Sequence, residues 1–230
     1  MERVRAGLVC APRAAPELAA PALAACPLPH RPLPRVPGWP DPPSRWLGGW
    51  YLRSPAHAPA PPGLRELVQA PGEGFGPTAH ATTAMCLEGV GGLPAGPALD
   101  AGCGSGLLAQ AWARLERGRV LACDLDPRAL DQAARSLAAA GLAGRVTLRL
   151  VAVGALAAEA IAGCALFANV PPAAHWELLG RIVTPPRAAL LSGLRPGQAR
   201  AVAAAYRALG LQVGGWTERG GFVCVALVAP

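Results

Sequence analysis

The chain has 230 residues, of which 52% are hydrophobic and only 15% charged, with a formal net charge of +7. That is enough apolar material for a full core and too little charge for a disordered polymer, and Arg, Glu, Gly or Pro interrupts every apolar run before it reaches membrane-spanning length. There is no lysine, so the positive balance is carried by arginine, and it favours an acidic partner or a ribonucleoprotein surface through long-range attraction.

Residues 1–63 hold more than half of the 26 prolines, including Pro27, Pro29, Pro32, Pro34 and Pro37. Proline at that density opposes regular helix and interior strand and favours extended, polyproline-like backbone. The segment reads as an irregular N-terminal arm, disordered before about residue 36, that packs on the rest of the protein through Trp39, Trp46 and Trp50. Its opening residues carry two Arg before a short apolar stretch, but Pro12, Arg13, Pro16 and Glu17 break any signal-peptide core, which predicts a cytoplasmic protein.

From residue 64 to 230 helices and strands alternate, the pattern of a doubly wound, mostly parallel α/β sheet. A helix is expected at 78–90, then strands near 97–101, 119–124, 145–151, 164–169 and 187–193. The intervening helices fall near 106–117, 127–140, 172–182 and 196–209. Two last strands, 211–216 and 222–228, flank the polar turn 217–221 and form an antiparallel hairpin, giving a seven-stranded sheet. The seven cysteines, at 10, 26, 86, 103, 123, 164 and 224, show no C-x-x-C pair and no histidine at metal-ligand spacing, so neither zinc nor a disulfide scaffold is expected.

The densest chemical signal is Ala98-Leu99-Asp100-Ala101-Gly102-Cys103-Gly104-Ser105-Gly106. A short apolar strand runs into three alternate glycines, which let the backbone turn tightly and approach a ligand without a Cβ. The dinucleotide fingerprint needs glycine at 107, where this chain has Leu107. Asp100 and the tighter G-x-G-x-G spacing instead resemble motif I of the S-adenosylmethionine-dependent methyltransferases. The next strand, Val120 to Cys123, stays apolar until Asp124, whose carboxylate at the carboxyl end of a strand can accept both hydroxyls of a ribose. Asp126 and Pro127 read as the N-cap and first residue of the following helix.

Taken in order, Phe75-Gly76-Pro77-Thr78-Ala79-His80-Ala81-Thr82-Thr83, Cys86-Leu87-Glu88, the glycine turn, Asp124-Leu125-Asp126-Pro127, Ala168-Asn169, Leu191-Ser192-Gly193-Leu194, Gln198 and Ala205-Tyr206 resemble the ribosomal protein L11 methyltransferase family over roughly residues 70–229. The resemblance implies the methyltransferase form of the sheet and S-adenosylmethionine as cofactor. It makes Thr83 a ligand of the cofactor's amino-acid end with His80 beside it. It sets Asp100, Gly102 and Gly104 against the cofactor at the turn, Asp124 on the ribose, and Asn169 beside the transferring methyl group as the catalytic residue. A ribosomal protein amine is the implied acceptor. The chain departs from the family at Pro77-Thr78, where Thr-Gly is usual, and at Gly221-Phe222, where Glu-Trp is usual. At Gly154-Ala155 it has no acidic side chain to hold the adenine amine, so backbone groups are expected there.

The family usually carries a longer, separate N-terminal substrate-recognition domain, of which 2–10 could be a remnant strand and 17–25 a remnant helix. Two other readings share parts of the pattern. Asn169-Val170-Pro171-Pro172 is similar to the N-P-P signature of methyltransferases acting on planar amide or nucleobase nitrogens, with Ala173 in the aromatic position. A non-catalytic, cofactor-binding factor docked on a ribonucleoprotein is the third.

Overall fold

The computed structural model describes residues 44–72 and 80–230. The stretch 75–79, Trp39, the Pro-rich run and the two remnant elements expected within 1–25 lie outside the described residues.

Within the segment read as irregular, residues 45–53 form a hairpin of β1 (Arg45–Leu47) and β2 (Trp50–Arg53). The reason is local: this stretch is free of proline, and Gly48 and Gly49, with φ of 56° and 79°, supply the two left-handed positions of a tight hairpin turn. A third strand, β3 (Glu66–Val68), lies parallel to β2. Trp50 is buried and its Nε1 donates to the Leu87 carbonyl at 3.3 Å, as expected of a packing ring, whereas Trp46 remains 60% exposed.

The main sheet has the order β6-β5-β4-β7-β8-β10-β9. Its strands are β4 (Ala98–Ala101), β5 (Val120–Asp124), β6 (Val146–Leu150), β7 (Ala165–Asn169), β8 (Ala188–Leu194), β9 (Gln212–Arg219) and β10 (Phe222–Val228). β4 through β8 run parallel, while β10 pairs antiparallel with both β8 and β9. The expected seven-stranded sheet and terminal hairpin are both present. β9 runs on to Arg219, which pairs with Phe222, so the turn narrows to Gly220-Gly221.

On one face lie α1 (Ala81–Gly89), α2 (Leu107–Arg114), α3 (Pro127–Ala139) and the small N-terminal sheet. On the other lie the short α4 (Ala158–Ile161), α5 (Pro172–Leu179) and α6 (Pro196–Ala208), with Tyr206 fully buried beneath them. Neither α4 nor the 3-10 turn Val153–Ala155 was expected from periodicity, since each is too short to show a helical repeat.

The stretch 66–70 is clamped across α2 and α3 by side chains acting in place of a neighbouring strand. Gln110 accepts from Val68 N–H at 2.7 Å and donates to Val68 O at 2.8 Å, while Ser136 Oγ and Gln132 Nε2 satisfy the N–H and carbonyl of Ala70 at 3.0 and 2.7 Å. Buried backbone groups need such partners, and these fix the chain that leads into the candidate site.

Candidate functional site

Because β4 is the strand from which the order departs in both directions, the carboxyl ends of β4, β5 and β7 open onto one crevice. The cleft there has a volume of about 380 Å³. His80, Thr83, Asp100, Gly102, Gly104, Asp124 and Asn169, all the site residues expected from sequence, line it together.

The glycine turn is held by β5. Gly102 N–H and Cys103 N–H both donate to the Cys123 carbonyl at 2.9 Å, and Gly104 N–H donates to Asp124 Oδ2 at 2.9 Å. The other Asp124 oxygen accepts Asp126 N–H at 3.0 Å. Asp126 is the N-cap of α3, accepting Arg128 N–H at 2.9 Å, which leaves Asp124 to the crevice. Gly102 has φ of 76°, and a Cβ there would stand 2.4 Å from Val170 Cγ1, so the β4 and β7 loops touch only because this residue is glycine. Val170 is itself buried and fills that contact.

Asp100 is 2% exposed and accepts Ala109 N–H from α2 at 3.0 Å. Burial pushes its carboxyl from 3.8 up to about 7, the charge of Asp124 adds to the rise, and the Ala109 N–H opposes it. A carboxyl more basic in the folded than in the unfolded chain contributes stability that is full below the unfolded value and lost as pH rises through the folded one. We therefore expect the stability advantage of the native protein over Asp100→Asn to shrink from about pH 4 to about pH 7 and then level off, as read from urea midpoints. A pH-independent difference would contradict it.

On the facing side His80 is the N-cap of α1. Its Nδ1 accepts Thr82 N–H at 3.4 Å and lies 2.7 Å from Thr82 Oγ1. Phe222 meets the His80 ring edge-on at 5.0 Å, and the Arg195 guanidinium lies 4.2 Å over Phe222, so the stack anchors the start of α1 to the terminal hairpin. Thr83, in the first turn of that helix, reaches across the crevice: Asn169 Nδ2 donates to its Oγ1 at 3.5 Å. Ser192, Gln198 and Tyr206, which carry part of the sequence resemblance, do not line the cleft. Ser192 Oγ donates to Val223 O at 2.7 Å and Gln198 Oε1 accepts Arg195 N–H at 2.9 Å, both framework roles.

Two cleft residues carried no sequence signal. Gln69 sits 3% exposed between apolar neighbours, its Nε2 donating to Ser105 Oγ at 3.1 Å and its buried Oε1 lacking a partner. Glu177 comes from α5. The lining thus holds the carboxyl groups of Asp100, Asp124 and Glu177 and, among the described residues, no arginine. Among those residues no cluster of His, Cys, Asp or Glu could hold a metal, and no helix is long and apolar enough to cross a membrane. Burial pushes the thiol of Cys103 well up, so it enters the cleft as an apolar, protonated group.

Residues 65–229 match the family model described as ribosomal protein L11 methyltransferase. Among curated relatives, a ribosomal protein L11 methyltransferase of Chromohalobacter salexigens is 36% identical over 191 residues, covering 79% of this chain and 61% of that protein. One of Bordetella parapertussis is 37% identical over 183 residues, covering 76% of this chain and 58% of that protein. The chain therefore spans about three-fifths of the length of these relatives. The solved structure of ribosomal protein L11 methylase from Lactobacillus delbrueckii subsp. bulgaricus superposes with a TM-score of 0.68 at 21% identity, covering 79% of this chain and 95% of that one, a likeness of fold.

Proposed function

This chain belongs to the ribosomal protein L11 methyltransferase family, and from that premise we propose that it transfers methyl groups from S-adenosylmethionine to amines of a ribosomal protein. The observation that carries the reading is the acid-lined cleft at the glycine turn, without arginine among the described residues, in a chain whose net charge is +7. An excess of carboxyl groups over cations suits a ligand of net positive charge, and S-adenosylmethionine carries a sulfonium and an ammonium against one carboxylate.

The residues present fit that cofactor. Asp124 keeps lone pairs free for ribose hydroxyls after accepting two backbone N–H groups, Gly102 leaves the backbone bare of a Cβ at the turn, and the orphaned Gln69 Oε1 is a buried acceptor beside Ser105. Thr83, His80, Asp100 and Gly104 complete the holding set. The bound cofactor supplies a methyl carbon on a positively charged sulfur, a leaving group that departs without acid or metal assistance. The work left to the chain is alignment and desolvation. Asn169 Oδ1, at the end of β7, accepts an N–H of the entering amine and turns its lone pair into the cleft. Enclosure of the amine there disfavours its charged form, so its proton leaves to solvent before transfer.

The test is incubation of the purified protein and labelled cofactor with a lysate from cells lacking this protein. We expect label on a ribosomal protein. Label on RNA alone would favour a nucleobase nitrogen as acceptor, and cofactor binding without any label would favour a non-catalytic role.

A further inference from the structure

The turn that follows β6 holds Gly154 and Ala155, with no acidic side chain of its own. The fold brings one from elsewhere. Asp124 of β5 pairs with Leu150 of β6, and Val151 N–H donates to the Asp124 carbonyl at 3.0 Å, so Ala152 and Val153 extend the cleft from Asp124 on the side away from the glycine turn. Ala152 and Val153 thus offer apolar lining on that side of Asp124 for a base whose ribose Asp124 would hold.

Helix α5, though it follows β7, packs onto the 3-10 turn Val153–Ala155. Arg181 Nε donates to the Leu156 carbonyl at 2.9 Å and ties the chain just beyond that helix to the same loop. This docking sets Glu177 beside Gly154. Its Oε2 lies 2.9 Å from where a Cβ on Gly154 would stand, so the carboxylate occupies space that any larger residue would contest. Glu177 shares the cleft with Leu125, Ala152 and Val153, and makes no hydrogen bond or ion pair among the described residues.

The geometry points to Glu177 as the residue that selects the cofactor's base: its carboxylate accepts a hydrogen bond from the exocyclic amine of adenine, standing in from α5 for the acid missing after β6. The inference rests on the S-adenosylmethionine reading above and deepens it. An ionised carboxylate only accepts, so it favours a base that presents an amine and disfavours one that presents a carbonyl at the same position. A glutamine side chain both donates and accepts, and tolerates either.

Calorimetric titration with S-adenosylhomocysteine and S-inosylhomocysteine tests this without methyl transfer, because neither carries a transferable methyl and the two differ only along one edge of the base, where the amine and bare N1 of adenine become a carbonyl and an N1–H. The native protein should prefer the adenosyl ligand by about tenfold or more, the size of one hydrogen bond to a charged group. Glu177→Gln should bring the two affinities close together by tightening the inosyl ligand. Glu177→Ala should weaken the adenosyl ligand by about tenfold and leave the inosyl ligand no weaker. An adenosyl preference unchanged in both variants would overturn the role of Glu177 while leaving the cofactor reading intact. Failure of the folded native protein to bind S-adenosylhomocysteine would overturn both.

Discussion

Asp124→Ala is expected to weaken S-adenosylmethionine binding by at least about a hundredfold in calorimetry, with the protein still folded. Two effects add. The carboxylate itself is lost as the acceptor for ribose hydroxyls, and hydrogen bonds to a charged group are worth about 1.5–3 kcal/mol each. The glycine turn also loses one of its three ties to β5, the bond from Gly104 N–H, and the residues after β5 lose the acceptor of Asp126 N–H. The released N–H groups face a cleft that water enters, so the cost falls on the geometry of the turn more than on global stability. Asp124→Asn separates the two contributions: one amide oxygen can still accept a single N–H, and binding should fall between native and alanine. Native-like affinity in Asp124→Ala would remove this residue from the cofactor site.

Asn169→Ala should have the opposite profile. We expect kcat to fall by about a hundredfold or more, the usual cost of deleting one preorganised polar group at a reacting centre, while the dissociation constant for the cofactor changes only a few-fold. The reason is position. Asn169 closes β7 in register with Ser192 of β8 and lines the cleft with Thr83 and the glycine turn, and its side-chain bond to Thr83 Oγ1 is long at 3.5 Å. The group is thus held by backbone pairing and retains an oxygen for an incoming amine. Equal losses in cofactor affinity and turnover would instead make Asn169 a cofactor-positioning residue through Thr83.

The alternation of apolar strands and amphipathic helices made the seven-stranded sheet readable, and the ends of β4, β5 and β7 are where polar residues interrupt otherwise apolar runs. Asp100, Asp124 and Asn169 announced themselves in that way. Gln69 and Glu177 did not, for different reasons. Gln69 directly follows β3, whose three residues Glu66-Leu67-Val68 are too few to carry a period, and its burial depends on clamps from Gln110, Gln132 and Ser136 about forty or more residues away. Glu177 is exposed on α5 and reads as an ordinary helix-surface carboxylate, and only the docking of that helix shows that it borders the cleft. The hairpin at 45–53 was obscured by the prolines on either side of it, although its Gly48-Gly49 turn was a local signal.

What the sequence determined by itself was everything governed by local chemistry: the strand and helix periods, the glycine turn that can approach a ligand, the acid at a strand end, and the family to which that order of motifs belongs. Packing added the side chains that no motif announced, Gln69 and Glu177, to the cleft. The parallel crossovers bring β4, β5 and β7 together at one end, and docking of α5 against the turn after β6 sets Glu177 beside Gly154. Proximity of that kind comes from packing of two apolar faces on a common sheet, a sum of many weak contacts that no single motif encodes.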